Sequence, residues 1–291
     1  MPRLSTNASG ALISLGAFGI FATHDALIKL VAARYSPIQI TFSIALFAFP
    51  FLLVAAAADR SSGGLWPKKP KLVILRSSLV AVASVLAFFA FKLLPLAQTY
   101  ALLFSTPLLI TIIAGPFLGE KVGPRRWAAV VVGLWGVLVV LRPGPEGLSL
   151  GHLVALASAL ASATGTTILR KVGPNEKPLT MLSGAMTANF VLMGLALPFV
   201  YKPLEGGDML ILMAISMMSA TAMLGIILAY RRAEAVVIAP MQYSQILWAV
   251  AYGALIFGEL PDAWTLIGAS IVMASGFYIV WREARAAKSA A

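Results

Sequence analysis

His24, Asp25 and Lys29 stand together in a long apolar stretch, within the run PheAlaThrHisAspAlaLeuIleLys at 21–29. Ionisable side chains are costly in an apolar solvent and are retained there where they pair with one another, relay protons or touch a solute. Asp25 and Lys29 are four residues apart, the spacing at which a helix brings opposite charges together. Two readings follow: a structural ion pair, or a pair that handles a substrate or a proton. His24 is the one histidine placed at such depth and is a candidate ligand for a substrate. His152 falls near the start of a later apolar segment and reads as a solvated helix-end residue.

A second constellation is Gln242, Gln245, Trp248 and Tyr252, spaced three and four apart and so on one helical face. Amides beside aromatic rings suit a small molecule with an apolar ring and a polar end, such as an amino acid. The same stripe could be a seam between packed helices, since glutamine also bonds neighbouring helices in membranes. One hundred and thirty-nine residues earlier, Ser105 and Thr106 fall opposite Ser244 and Gln245, with Gln98 and Tyr100 one or two turns away. Pro107 and Pro240 lack an N–H, so each is expected to free a carbonyl, those of Leu103 and Val236. The absence of cysteine and the presence of only two histidines argue against disulfides, thiolate chemistry and a zinc centre. No paired-aspartate site, GxSxG nucleophile or GxxxxGK[ST] phosphate loop is present, so an intramembrane enzyme is disfavoured, no cofactor or metal is implied, and work would be driven by a gradient.

The elements that must position these residues follow from composition. Of 291 residues, 60% are hydrophobic and 11% charged, less than half the charged share of an ordinary soluble domain. Apolar stretches of spanning length occur at about 10–32, 37–58, 71–94, 96–118, 125–141, 150–169, 179–200, 209–230, 235–257 and 263–281. Short turns rich in proline, glycine and charge separate them, among them 61–70, 120–124, 142–146 and 202–208. The first stretch carries His24, Asp25 and Lys29 and reads as a span rather than a cleaved leader. With the N-terminus placed inside, 17 of the 22 lysines and arginines fall in one set of loops. The other five are Lys29, Arg34, Lys92, Arg142 and Lys202. Basic residues are retained on the cytoplasmic side, so both termini are expected there, in a bacterial-type inner membrane. This distribution also argues against nucleic acid as the partner of a chain with net charge +11, because the basic residues form a collar on one membrane face. Trp66, Trp127, Trp264 and Trp281 fall at span ends, as interfacial aromatics do.

The chain also repeats itself. Gly119-Glu120 and Gly258-Glu259 are 139 residues apart; at that offset Ser77 meets Ser216, Phe91 meets Tyr230 and Lys92 meets Arg231, while Lys29 meets Arg170 at 141. The Gly-Glu pairs read as turns and helix caps. Five spans per copy is an odd number, so the second copy enters the bilayer from the opposite face, and the division is expected at 1–146 and 147–291. The runs at 93–108 and 117–127, ValLeuArgProGly at 140–144 and the run at 21–29 resemble the EamA-type repeat of the drug/metabolite transporter superfamily. Within it the chain is most similar to YddG-type exporters of aromatic and other neutral amino acids, although SerIleAla at 43–45 stands where many relatives carry an arginine. The resemblance implies a basket in which spans 1, 3, 4, 6, 8 and 9 surround a central cavity, with 5 and 10 behind. It further implies a secondary carrier in a lipid bilayer that exports amino acids by alternating access; a monomer is compatible with this reading, and the oligomeric state is left open. Another cargo of the same fold, a vitamin, nucleoside or cationic drug, is the alternative. The site expected on this reading comprises Gln242, Gln245, Trp248, Tyr252, Ser105, Thr106, Tyr100 and His24, with Asp25 and Lys29 as coupling groups or ion pair.

Overall fold

The computed structural model of the chain describes residues 6–58, 66–119, 123–142, 148–173 and 176–290. Twelve helices run through them: α1 (Thr6–Ala32), α2 (Pro37–Ala58), α3 (Pro70–Leu93), α4 (Leu96–Leu103), α5 (Thr106–Leu118), α6 (Pro124–Leu141), α7 (Leu150–Val172), α8 (Pro178–Ala196), α9 (Gly206–Tyr230), α10 (Ala235–Gln242), α11 (Ser244–Tyr252) and α12 (Ala263–Ala290). Among these residues nine helical segments are long and apolar enough to cross a bilayer, α4 and α5 forming one of them. The tenth span, 235–257, is built from α10, α11 and a π-turn at Gly253–Phe257. Glu120 lies outside the described residues, as do Arg3, Arg60, Lys121 and parts of the turns expected at 61–70, 120–124 and 142–146.

Local chemistry sets the helix ends. Proline opens α2, α3, α6 and α8, where its missing N–H costs no helical hydrogen bond and its fixed φ suits the first turn. Gly119 and Gly258 close spans 4 and 9 in the left-handed conformation, at φ 71° and 67°, which glycine adopts without a Cβ penalty. His152 is not merely solvated: its Nδ1 accepts the Ser149 backbone N–H at 3.1 Å at the start of α7, and its Nε2 lies 3.0 Å from the Gln98 amide. Leu53, Leu195, Leu210, Leu224, Leu247 and Leu255 are exposed around the outside, as a bilayer solvent requires.

Packing follows the repeat. Span 3 lies against spans 6 and 7, and span 8 against spans 1 and 2; span 4 meets span 6 as span 9 meets span 1. Exchanging the halves maps each of these contacts onto another of them, as expected of two inverted five-helix repeats. Spans 5 and 10, α6 and α12, pack on each other at glycines. A Cβ built on Gly268 would come within 2.6 Å of the Gly136 carbonyl, and one on Gly136 within 2.9 Å of the Gly268 carbonyl. Small residues let transmembrane backbones approach in this way.

One end of the molecule is tied by ion pairs. Arg34 meets Asp208 at 2.6 Å, Tyr35 donates to Asp208 at 2.9 Å, and Gln39 exchanges two bonds with the Lys202 backbone, at 2.7 and 2.9 Å. Arg142 pairs with Asp262 on the same side. Partial burial would raise the Asp262 carboxyl, but the Thr265 N–H and Arg142 hold it below the usual carboxylate range.

Candidate functional site

Spans 4 and 9 cross the middle of the molecule as broken helices, and both break at the same repeat position. In span 4 the last turn of α4 tightens, Ser105 N–H reaching Leu102 O at 3.0 Å, before α5 restarts at Thr106. In span 9 the break is at Tyr243, whose N–H reaches Pro240 O at 3.1 Å. Phe104 and Tyr243 are 139 residues apart. Pro107 follows its break by three residues and Pro240 precedes its own by three, so the sequence pattern hides a match that the backbone makes. The Leu103 carbonyl, expected to be free, is not: Thr106 Oγ1 donates to it at 2.7 Å. A threonine hydroxyl replaces the N–H that Pro107 lacks, since an unpaired carbonyl in an apolar interior is costly.

At the breaks the Phe104 and Tyr243 rings meet edge to face, with centroids 5.1 Å apart at 88°. Two equivalent positions in contact place the pseudo-two-fold axis between these rings. Around them is a cavity of about 400 Å³. Span 3 contributes Ala83, Ser84 and Ala87; span 4 Tyr100, Leu103, Phe104, Thr106, Pro107 and Ile110; span 6 Ser158 and Ser162; span 9 Gln242, Tyr243 and Gln245. Spans 1 and 8, expected in the lining, stand outside it, span 1 behind Tyr100 and span 8 against span 1. No lining residue carries a formal charge. Three hydroxyls in it, those of Ser84, Thr106 and Ser158, donate to the backbone carbonyls of Val80, Leu103 and Ala83, at 3.0, 2.7 and 2.7 Å. Their proton is thereby used, and what they offer the cavity is lone pairs.

Behind Tyr100 lies a charged cluster. Gln245 Nε2 donates to the Tyr100 hydroxyl at 3.4 Å, and that hydroxyl donates to Asp25 Oδ2. Asp25 Oδ1 is 2.8 Å from His24 Nδ1, and the His24 ring is packed edge-on by Phe21 and Phe88. Lys29 does not pair with Asp25, contrary to what the i,i+4 spacing suggests. Its Nζ lies 2.8 and 2.9 Å from the two oxygens of Glu259, donates to the Leu94 carbonyl at 2.7 Å and stands 5.2 Å from the Phe257 ring centroid. The physical reason is saturation: an i,i+4 contact stabilises by a few tenths of a kcal/mol, whereas an ammonium shielded from water needs all its protons engaged. Glu259, read from sequence only as part of a turn, follows the left-handed Gly258, which aims it back at span 1.

Gln242, Gln245, Tyr100 and Thr106 are thus brought together in the cavity wall. Ser105 is buried with its hydroxyl on Leu102 O, and His24 sits one residue removed behind Asp25. Trp248 and Tyr252 are also outside the lining: Trp248 lies against Gly19 and stacks with Tyr252 at 6.0 Å, and Tyr252 shares a 2.7 Å hydrogen bond with Thr23. Gln245, Trp248 and Tyr252 lie on the unbroken α11, whose first turn reaches the cavity while its later turns pack on α1 at Gly19 and Thr23. Sequence reasoning missed Phe104, Tyr243, Ser158 and Ser162; the 139-residue offset applied to Phe104 was the available signal.

The model of the EamA-like transporter family matches this chain twice, at residues 8–142 and 149–281. A riboflavin transporter of Rhizobium johnstonii is 27% identical over 82% of this chain and 78% of its own length. An S-adenosylmethionine uptake transporter of Rickettsia felis is 25% identical over 91% and 90%. A pseudopaline exporter of Pseudomonas aeruginosa is 24% identical over 91% and 93%.

Proposed function

Since this chain belongs to the EamA-like transporter family, we propose that it is a secondary carrier moving an uncharged, ring-bearing metabolite with several hydrogen-bond donors, vitamin-like in chemistry, through the cavity between its repeats by alternating access. The observation that carries this reading is the lining itself, which has amides, phenols and acceptor hydroxyls but no charged side chain. A charge entering it would lose water without gaining a counter-charge, which is costly, whereas a neutral solute exchanges its water hydrogen bonds for those of the wall. The edge-to-face rings at its centre suit a flat apolar body, and about 400 Å³ lies within the range of small-molecule sites. Riboflavin is a suitable probe, having a planar ring and donor hydroxyls. An aromatic amino acid, the cargo expected from the narrower resemblance, offers a ring to the same site, but its ammonium and carboxylate find no opposite charge in the lining. The family relatives include proteins named for uptake and for export. A carrier without an ATP-binding loop runs in the direction its gradient sets, so export, as expected from sequence, is one direction of a reversible cycle.

The test is uptake of labelled riboflavin by liposomes holding the purified chain, with competition by unlabelled metabolites. Saturable uptake, inhibited by a neutral nucleoside and not by threonine, is expected. Uptake of tryptophan and threonine with none of riboflavin would overturn the neutral-cargo reading in favour of amino acids.

A further inference from the structure

The charges of span 1 balance unequally. Lys29 and Glu259 form a closed pair, with side chains 9% and 30% exposed, and cancel each other. Asp25 is left with His24, at 14% and 7% exposure, and with the Tyr100 hydroxyl, which is neutral. The pair His24–Asp25 therefore carries a net charge of minus one or zero according to whether it holds one additional proton, and histidine is the side chain whose ordinary titration lies nearest neutrality. Among the described residues the surrounding elements supply no other compensating charge. Toward this pair α4 brings Tyr100 and α11 brings Tyr252, while Lys29 and Glu259 stand one turn along. α3 and α9, which also pack on α1, carry Lys71, Arg76, Lys92, Asp208 and Tyr230 toward their ends, and α2 and α10 carry no ionisable residue. The pair is also wired to the cavity, since Gln245 lines it and donates to Tyr100, and Tyr100 lines it and donates to Asp25.

We infer that the His24–Asp25 pair is a proton-binding site whose occupancy is read through Tyr100 and Gln245, so that the carrier couples a proton to its cargo. One proton is taken up by the pair from one face and released to the other, with no bond to the cargo made or broken. A cargo that engages Gln245 withdraws the donor from Tyr100 and alters the hydrogen bond that Tyr100 makes to the carboxylate. Protonation of the pair in turn removes the charge that fixes Tyr100. The two events thus act on the same hydroxyl, and coupling of binding equilibria through a shared group is reciprocal. This inference rests on the reading of the chain as a gradient-driven carrier, and it is independent of which neutral cargo is carried.

The experiment uses the full, cysteine-free chain with a single cysteine at Ser84→Cys in the cavity wall, reconstituted in liposomes. The rate of labelling by an impermeant thiol reagent is measured across about pH 5 to 8, the range of histidine titration, with and without Asp25→Asn. Taking the ratio of the two rates at each pH cancels the titration of the thiol itself. The expected result is a ratio that changes severalfold across the range, because protonation shifts the conformational balance only when the carboxylate is present. A constant ratio, showing only a structural role for Asp25, overturns the inference. His24→Gln serves as the second variant: it removes one member of the pair and is expected to change the pH profile of the ratio, and an unchanged profile also overturns the inference. Riboflavin flux separates the cargo question. Asp25→Asn is expected to lose accumulation of riboflavin driven by a pH gradient, and retained accumulation counts against coupling. A pH-dependent ratio with no riboflavin flux in any variant sinks the cargo reading and leaves the proton site standing.

Discussion

Gln245 faces the cavity and also orders Tyr100, so Gln245→Leu removes a hydrogen bond from the cargo and the donor from the phenol together. A buried hydrogen bond contributes about 1 kcal/mol, which is roughly fivefold in affinity, and the expected result is a loss of five- to tenfold for every cargo tested. Equilibrium binding to purified protein measures it. Trp248→Ala has a different outcome. The indole lies against Gly19 and Tyr252 rather than in the lining, so the ratio of affinities among ring-bearing and ringless probes is expected to hold within about twofold while the thermal midpoint falls. A selective loss of ring-bearing probes would return Trp248 to the site. The amides were legible in the sequence because glutamine is rare in an apolar helix and has few purposes there. Phe104 and Tyr243 were not, because an aromatic residue in a span looks the same whether it fills a core or faces a cavity. The partners of Lys29 were hidden for another reason: they come from residues 65 and 230 positions away, which no local spacing encodes.

At the scale of elements, helix ends were readable because proline at the first position and glycine after the last are local signals. The breaks inside spans 4 and 9 were not, since the prolines that accompany them sit on opposite sides of the repeat position where the backbone turns. The close approach of α6 and α12 gives a direct test of packing. Gly268→Val would drive its Cβ within 2.6 Å of the Gly136 carbonyl and of Val140. Overpacking of this kind typically costs about 1–3 kcal/mol. A fall in thermal stability and in yield of monodisperse protein is expected, with cargo affinity per folded molecule kept, because spans 5 and 10 stand behind the cavity. Gly206→Val, where a Cβ meets nothing within 4 Å, is the control and should leave stability unchanged.

For the whole molecule, the ten spans were legible because the bilayer imposes a length rule on any sequence. The excess of lysine and arginine in one set of loops predicts both termini inside: with single cysteines at Ser149→Cys and Ser289→Cys, an impermeant thiol reagent applied to intact cells should label the first and spare the second, and the reverse pattern would invert the topology. The central cavity was expected only through the family resemblance, because it forms where two copies of one fold meet across a pseudo-axis and no single segment contains it. That cargo passes through it is the claim on which the account stands. The most direct test is riboflavin flux in liposomes through a chain carrying Ser162→Cys, before and after stoichiometric modification by a bulky maleimide. The account predicts that modification abolishes most of the flux and that riboflavin slows the modification, whereas a lipid-facing control at Leu224→Cys transports equally well before and after. Undiminished flux through fully modified Ser162→Cys would contradict it.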